Sequence, residues 1–404
     1  MEEAAVALVL LAVFAWGLWS SRLGRADLSA PILFVTTGLL LSTFLHEPDI
    51  SPEGVRLLAE ITLVWVLFAD ASRVGLPEFR ADLGLYARLL GLGLPLTMAA
   101  GTLLAAWMFD GMGWWIALFV GAALAPTDAA LGAAVMTDPA VPERVRRVLN
   151  VESGLNDGIA TPVVTLAIAG AATAHGLGEA ATPGAALIDL AIGIAVGIAA
   201  GLAGGRAMRT ARHRGWASED FAGPGVLALA LAVYAGTLSL GGNGFVAAFV
   251  AGIAFGRAAG RGGVREVFYV EQTAGLVSLL TWLVFGAVAV PVVFGHISWQ
   301  VVVYAVLSLT LVRMLPVALV LLGSGLPAST VGFIGWFGPR GLASIIFALL
   351  AAESLEEPAD QAVAVIGMTV LISVFAHGLS AKPLAGRYGT AADSATPLPV
   401  RDLG

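Results

Sequence analysis

Long apolar stretches recur along this whole chain almost without charge, and a stretch of that kind cannot form the surface of a soluble domain. Of the 404 residues, 58% are hydrophobic and only 12% are Asp, Glu, Lys or Arg, about half the charged share usual in soluble domains. Mean hydropathy is +0.89. A helix needs roughly 20 apolar residues to cross the hydrocarbon core of a bilayer. Polar and Gly/Pro punctuation divides the chain into thirteen candidate spans at 4–20, 29–45, 55–72, 85–108, 114–136, 146–173, 185–207, 223–240, 243–256, 272–294, 299–322, 329–351 and 361–381. The 50 glycines and 19 prolines suit such helices, where both residues are commoner than in soluble ones. The sequence therefore predicts an all-α polytopic membrane protein, one membrane domain over 1–404, in place of the two or three soluble domains this length would otherwise suggest.

The remaining composition removes other classes. A net charge of −7 with no extended basic block argues against nucleic acid as a partner. Zero cysteines exclude disulfides, thiolate metal sites and thiol catalysis. No Walker motif, Ser-His-Asp grouping or zinc-ligand spacing occurs, so neither an enzyme nor a cofactor is expected. Met1-Glu2-Glu3 lacks the basic region of a cleaved signal, and the first span is expected to be retained. His46, His175, His213 and His296 fall at loop positions and read as solvated residues.

Basic residues give an independent check on the segmentation, because cytoplasmic loops of membrane proteins are rich in them. Loops after odd-numbered spans hold Arg22 and Arg25; Arg73, Arg80 and Arg88; Arg144, Arg146 and Arg147; Arg206, Arg209, Arg212 and Arg214; and Arg257, Arg261 and Arg265. Lys382, Arg387 and Arg401 follow the last span, so 18 of the 21 basic residues lie on one side. The other side has Arg56 alone, beside Glu47, Asp49, Glu53, Asp110, Glu179, Glu353, Glu356, Glu357 and Asp360. This segregation predicts a cell-membrane protein with its N-terminus outside and its C-terminus cytoplasmic. The segment 389–404 is expected to be a short cytoplasmic tail, too small for a regulatory domain.

Ionisable side chains at membrane depth are costly unless paired or wetted, which makes each a candidate for function. Asp70 lies in the third span, Asp128 in the fifth, and Glu152 and Asp157 in the sixth. Asp70 also reads as a cytoplasmic-end residue beside Arg73. Ser153, Asn156 and Asp157 stand at i, i+3 and i+4 and share one helix face, with Glu152 on the adjacent stripe. A hydroxyl, an amide and a carboxylate together in low dielectric suit a hard, partly dehydrated cation. The alternative is a buried polar network that only packs helices.

Pro126 interrupts the fifth span and Pro339 the twelfth. The two occupy equivalent places in trios of spans seven apart, an odd number, so the trios run in opposite senses. That pattern predicts inverted repeats with a midplane site built from two broken helices. Half-helix ends carry partial charges, so Asp128 reads as a partner for exposed N–H groups. Arg340 reads as neutralising half-helix C-termini or as pairing with a buried acid, Glu152 being the natural partner. Thr127 offers a freed carbonyl or a hydroxyl to a cation. His377, inside the last span, reads as a packed residue or a pH sensor.

Pro126-Thr127-Asp128, Glu152-Ser153-Gly154-Leu155-Asn156-Asp157-Gly158, Gly338-Pro339-Arg340-Gly341 and His377-Gly378-Leu379-Ser380-Ala381-Lys382-Pro383 together resemble the monovalent cation:proton antiporter-1 family, the NhaP-type sodium/proton antiporters. The motifs come in the family's order and extend over most of the chain. The resemblance implies the NhaA/NhaP-like fold and a homodimer in the bilayer. It implies a dimerisation scaffold of 1–80 and 185–295, against which a transport domain of 85–173 and 299–385 moves like an elevator. It implies that Asp157 takes transported Na⁺ or a proton alternately, and that Ser153, Thr127 and Asp70 help ligate the cation. Asn156, Glu152 and Arg340 would hold the architecture, and Asn at position 156 implies electroneutral exchange. Na⁺ is the expected ion, with Li⁺ and K⁺ as variants. The competing readings are a cation channel, which needs a continuous polar pore, and a potassium/proton antiporter of a related family.

Overall fold

In hydrocarbon every peptide N–H and C=O has to find its partner within its own segment or inside the protein, and this chain meets that demand with helices. The computed structural model describes residues 2–25, 28–44, 51–73, 82–177, 183–260, 263–355 and 357–395. Loop residues His46, Glu47, Asp49, Arg80, Glu179, Arg261, Glu356 and Arg401 lie outside the described residues. The helices are α1 (Glu2–Arg25), α2 (Ala30–Phe44), α3 (Pro52–Arg73), α4 (Leu83–Met108), α5 (Trp114–Ala123), α6 (Ala129–Met136), α7 (Glu143–Ala174) and α8 (Pro183–His213). They continue as α9 (Glu219–Ser239), α10 (Gly244–Ala259), α11 (Gly263–Gly295), α12 (Trp299–Leu309), α13 (Leu311–Val320), α14 (Ala328–Trp336), α15 (Leu342–Leu355) and α16 (Asp360–Ala395).

Each apolar stretch of the sequence falls on one of these helices or on one interrupted pair. Among the described residues, eight helical segments are both long and apolar enough to cross a membrane, whereas α2, α5, α10 and α15 are apolar but shorter. What reads in the sequence as thirteen spans is thus a mixture of long, short and broken helices. The eleventh stretch is split at Thr310 (φ −108, ψ −90), three residues before Arg313. Single π-helical turns at Leu89–Gly93 and Phe285–Ala289 interrupt α4 and α11.

The C-terminal boundary also differs from the expectation. Instead of giving way to a polar tail at 389, α16 continues to Ala395, and 396–404 lie outside the described residues. Tyr388 supplies the reason. Its ring stacks on Phe333 at 4.2 Å between centroids, and its hydroxyl meets Thr330 Oγ1 at 2.8 Å, which ties the extension to α14.

Glycine sets how closely the helices approach. Along α8, a Cβ added to Gly193, Gly197 or Gly201 would come within 2.5–2.7 Å of the carbonyl oxygens of Asn243, Ala247 and Ala251 on α10, and one on Gly205 within 2.7 Å of Ala258. This small-xxx-small seam lets two backbones meet without side chains between them, the usual means of joining helices where lipid offers no hydrophobic drive. Gly38 of α2 lies against the Leu283 carbonyl, and Gly286 of α11 against that of Val35. The other half of the chain packs through α4–α7 and α12–α16, where Gly121 seats on Thr102 and Met98 of α4 and Gly170 on Trp115 of α5.

Candidate functional site

Pro126 and Pro339 lack the N–H that would continue a helix, and around each the backbone opens. Residues 124–128 link α5 to α6, and residues 337–341 link α14 to α15. The two open segments lie against each other, with Asp128 N–H donating to the Pro339 carbonyl at 2.8 Å. Four half-helix ends therefore converge inside the protein, and each leaves backbone groups that need partners.

Asp128 serves two of those ends. Its Oδ1 accepts from Leu131 N at 2.9 Å, capping α6, and its Oδ2 accepts from Leu342 N at 2.7 Å, capping α15. Both N-termini carry positive partial charge, so one carboxylate neutralises two. Gly341 comes so close to that carboxylate that no Cβ would fit there.

At the C-terminal end of α5, the fully buried Arg340 donates through Nη1 to the Ala125 carbonyl and, at 2.9 Å, to that of Pro126. Ser344 Oγ donates to the Ala123 carbonyl at 2.6 Å. The end of α14 is met by His377, whose Nε2 lies 2.9 Å from the Trp336 carbonyl and must donate to it. Its Nδ1 lies 3.1 Å from Ser373 Oγ and 3.0 Å from the Ser373 carbonyl. Ser373 Oγ in turn accepts from Arg340 N at 2.7 Å. His377 is thus a packed link in a chain that holds the crossing.

One expected contact is corrected. Arg340 is not the partner of Glu152; Arg313 of α13 is, with Nη2 at 2.6 Å from Oε1 and both side chains at most 3% exposed. Arg340 is already committed to the α5 carbonyls, and Arg313 reaches Glu152 across the bare backbone of Gly338, where a Cβ would stand 2.5 Å from Arg313 Nε. Sequence reasoning gave Arg313 no role. The available signal was the charge count, since two buried arginines cannot both be satisfied by one buried glutamate.

The oxygen-rich patch lies on α7 beside the crossing. Asn156 Nδ2 donates to Thr127 Oγ1 at 2.6 Å, and Thr127 Oγ1 lies 2.9 Å from Ser153 Oγ. Thr127, Ser153 and Asn156 therefore form one buried cluster between the first open segment and α7. Asp157 follows on the same helix, 9% exposed, and its Oδ1, like Asn156 Oδ1, is buried without a hydrogen-bond partner. Two orphaned acceptor oxygens next to two hydroxyls form a set suited to one small hard cation or to a proton on the carboxylate. Asp70 reaches α7 at Gly154, where an added Cβ would lie 3.7 Å from its Cβ, and it makes no hydrogen bond to the cluster.

A family model described as the transmembrane sodium/hydrogen exchanger matches residues 8–387. The chain is 29% identical to the K⁺/H⁺ antiporter NhaP of Alkalimonas amylolytica over 379 residues, covering 91% of this chain and 63% of that protein. It is 27% identical to the K⁺/H⁺ antiporter NhaP2 of Shewanella sp. strain MR-4 over 396 residues, covering 95% and 66%. The chain thus spans a little under two thirds of the length of these relatives. Its fold matches the sodium proton antiporter MjNhaP1 of Methanocaldococcus jannaschii at pH 8, with a TM-score of 0.77, 20% identity, and coverage of 96% of this chain and 100% of that one.

Proposed function

The chain belongs to the sodium/hydrogen exchanger family, and on that premise we propose that it exchanges a monovalent cation for a proton at Asp157. The observation that carries this reading is the orphaned Asp157 carboxylate beside the Thr127–Ser153–Asn156 cluster, next to two broken helices whose ends are neutralised by other residues. Asp128 and Arg340 are occupied with helix ends and Glu152 with Arg313. Of the acids at the crossing and on α7, that leaves Asp157 as the carboxylate available for turnover.

In this mechanism a proton on Asp157 leaves to one side, and a cation arriving from that side takes its place on the ionised carboxylate. Ser153 Oγ, Thr127 and Asp70 complete the shell, and Asn156 orients Thr127 Oγ1 through their hydrogen bond. With either occupant the site carries about the same charge, whereas an empty ionised carboxylate is costly to carry through an apolar barrier, so the two fluxes are coupled. Residues 85–173 and 299–385 would move as the transport unit against 1–80 and 185–295. The glycine seams of α8 on α10 and of α2 on α11 support a separately packed scaffold. Homodimerisation through that scaffold belongs to the same reading. The cytoplasmic C-terminus is supported by the arginine segregation.

Asp157→Asn removes the titrating group with little change in shape. In proteoliposomes carrying an entrapped pH dye, the variant is expected to be folded and inactive while the wild type exchanges. Cation-dependent proton flux in the variant equal to wild type would overturn the mechanism. The same assay with Na⁺, Li⁺ and K⁺ in turn decides the ion. Potassium is the second reading, favoured by the K⁺/H⁺ antiporter names of the relatives.

A further inference from the structure

Asp189 is an acid within the apolar helix α8, and the exchange site described above makes no use of it. The window that contains it has a mean hydropathy of 2.2. Asp189 is exposed, in the second turn of α8, so its carboxylate is open to an ion arriving from outside, and an unpaired acid inside an apolar segment is a functional candidate. It lines a cavity of about 360 Å³, together with Pro162 and Thr165 of α7 and Gly242 and Asn243 at the head of α10. No basic residue pairs with it among the described residues. The cavity lies at the arginine-poor end of the molecule, where the sequence of 174–183 and 240–243 contains no Lys or Arg.

A polar thread joins this cavity to Asp157. Thr161 Oγ1 donates to the Asp157 carbonyl at 2.7 Å, and Thr165 Oγ1 donates to the Thr161 carbonyl at 3.1 Å. Asn243 Nδ2 donates to Thr165 Oγ1 at 3.0 Å, and Asn243 N–H donates to the Asp189 carbonyl at 2.9 Å. Asp157, Thr161 and Thr165 recur every four residues and so share one face of α7. The eight residues from Asp157 to Thr165 cover about 12 Å along the axis. Pro162 also frees the Gly158 carbonyl from its ladder bond on that side. The hydroxyls along α7 are neutral, and the thread meets each aspartate at its backbone carbonyl.

We propose that this cavity is an outer loading site, in which Asp189 gathers the monovalent cation before the Asp157 site receives it. The ligand class follows from the donor set, since one carboxylate among hydroxyl, amide and carbonyl oxygens matches a singly charged, partly hydrated ion. The inference rests on the exchange reading above and adds a second ion position to it. A carboxylate in a cleft with low-dielectric walls raises the local cation concentration roughly tenfold or more at low ionic strength.

The test uses right-side-out and everted membrane vesicles containing the full chain, with Na⁺ or K⁺ added to one face at low ionic strength. Asp189→Asn is expected to raise the KM for cation at the arginine-poor face roughly tenfold. The maximal rate and the KM at the arginine-rich face should stay as in wild type. Because the chain has no cysteine, Asp189→Cys gives a unique thiol that does not depend on how well the Asn variant folds. Modification with the anionic sulfonatoethyl methanethiosulfonate should restore the KM, and the cationic trimethylammonioethyl reagent should raise it further. An unchanged KM at that face, equal shifts at both faces, or equal effects of the two reagents would overturn the loading site while leaving exchange at Asp157 intact. A wild-type protein that exchanges nothing would instead overturn the exchange reading, and the loading site with it.

Discussion

Arg313→Met leaves Glu152 as a buried carboxylate without its cation, and the structure sets the scale of that loss. The pair is 2.6 Å apart with both side chains at most 3% exposed, so water cannot replace the missing partner. Breaking a buried ion pair from one side costs about 3–5 kcal/mol, because an uncompensated charge remains. Glu152→Gln strands the arginine in the same way. Removing both charges together, as Glu152→Gln with Arg313→Met, leaves no buried charge and should recover most of the loss. Unfolding entropy of about 2.1 cal/mol/K per residue over this length gives roughly 0.8 kcal/mol/K, so each single variant should lower the midpoint by about 4–6 °C. The assay is thermal unfolding of purified protein in detergent, run as a four-member cycle. A double variant at least as unstable as the worse single variant would refute the pairing. The same cycle with Arg340 in place of Arg313 should show much weaker coupling to Glu152, since Arg340 is held by the α5 carbonyls.

Three other outcomes are expected. Asp128→Ala removes the cap of two helices, each worth about 0.5–2 kcal/mol, so thermal unfolding should fall by about 1–4 kcal/mol, and a loss under half a kcal/mol would contradict the shared cap. Gly158→Ala drives a methyl group into the Phe249 ring and should cost about 1–3 kcal/mol by overpacking; the additional change Phe249→Leu should relieve it, and no relief would show that the ring is not the obstacle. For Asp82, just ahead of α4, burial pushes the carboxyl up, but hydrogen bonds from Arg144 (2.7 Å) and Arg147 (3.0 Å) outweigh it and hold the group below its ordinary value. Its contribution is therefore complete above the unfolded value of about 3.9 and disappears as pH falls through the lower folded value. The difference in unfolding midpoint between wild type and Asp82→Asn should be present at pH 6 and shrink as the pH falls below about 3.9, and a constant difference would exclude the clamp.

Much of the site was legible because it breaks the rules of its surroundings. Pro126 and Pro339 mark the open segments, since proline cannot continue a helix, and Asp128, Glu152 and Asp157 are charges where charge is costly. The periodicity of α7 was enough to bring Ser153, Asn156 and Asp157 to one face. Three things were not legible. Arg313 and Glu152 are far apart in the chain, and nothing local distinguishes Arg313 from Arg340 as the partner. Asp189 is a single acid near a helix start, and only the fold sets Thr165 and Asn243 beside it. The extension of α16 past Pro383 depends on Tyr388 finding Thr330 and Phe333 on another helix.

The sequence by itself determined the solvent, the helical class, the two breaks and which ionisable residues fall inside apolar stretches, because these follow from transfer cost and backbone chemistry, which act locally. The tertiary structure alone decided which buried charge neutralises which, because a guanidinium or carboxylate at depth takes whatever partner the fold brings within about 3 Å. It also decided which glycines join helices, since a missing Cβ matters only where another backbone arrives.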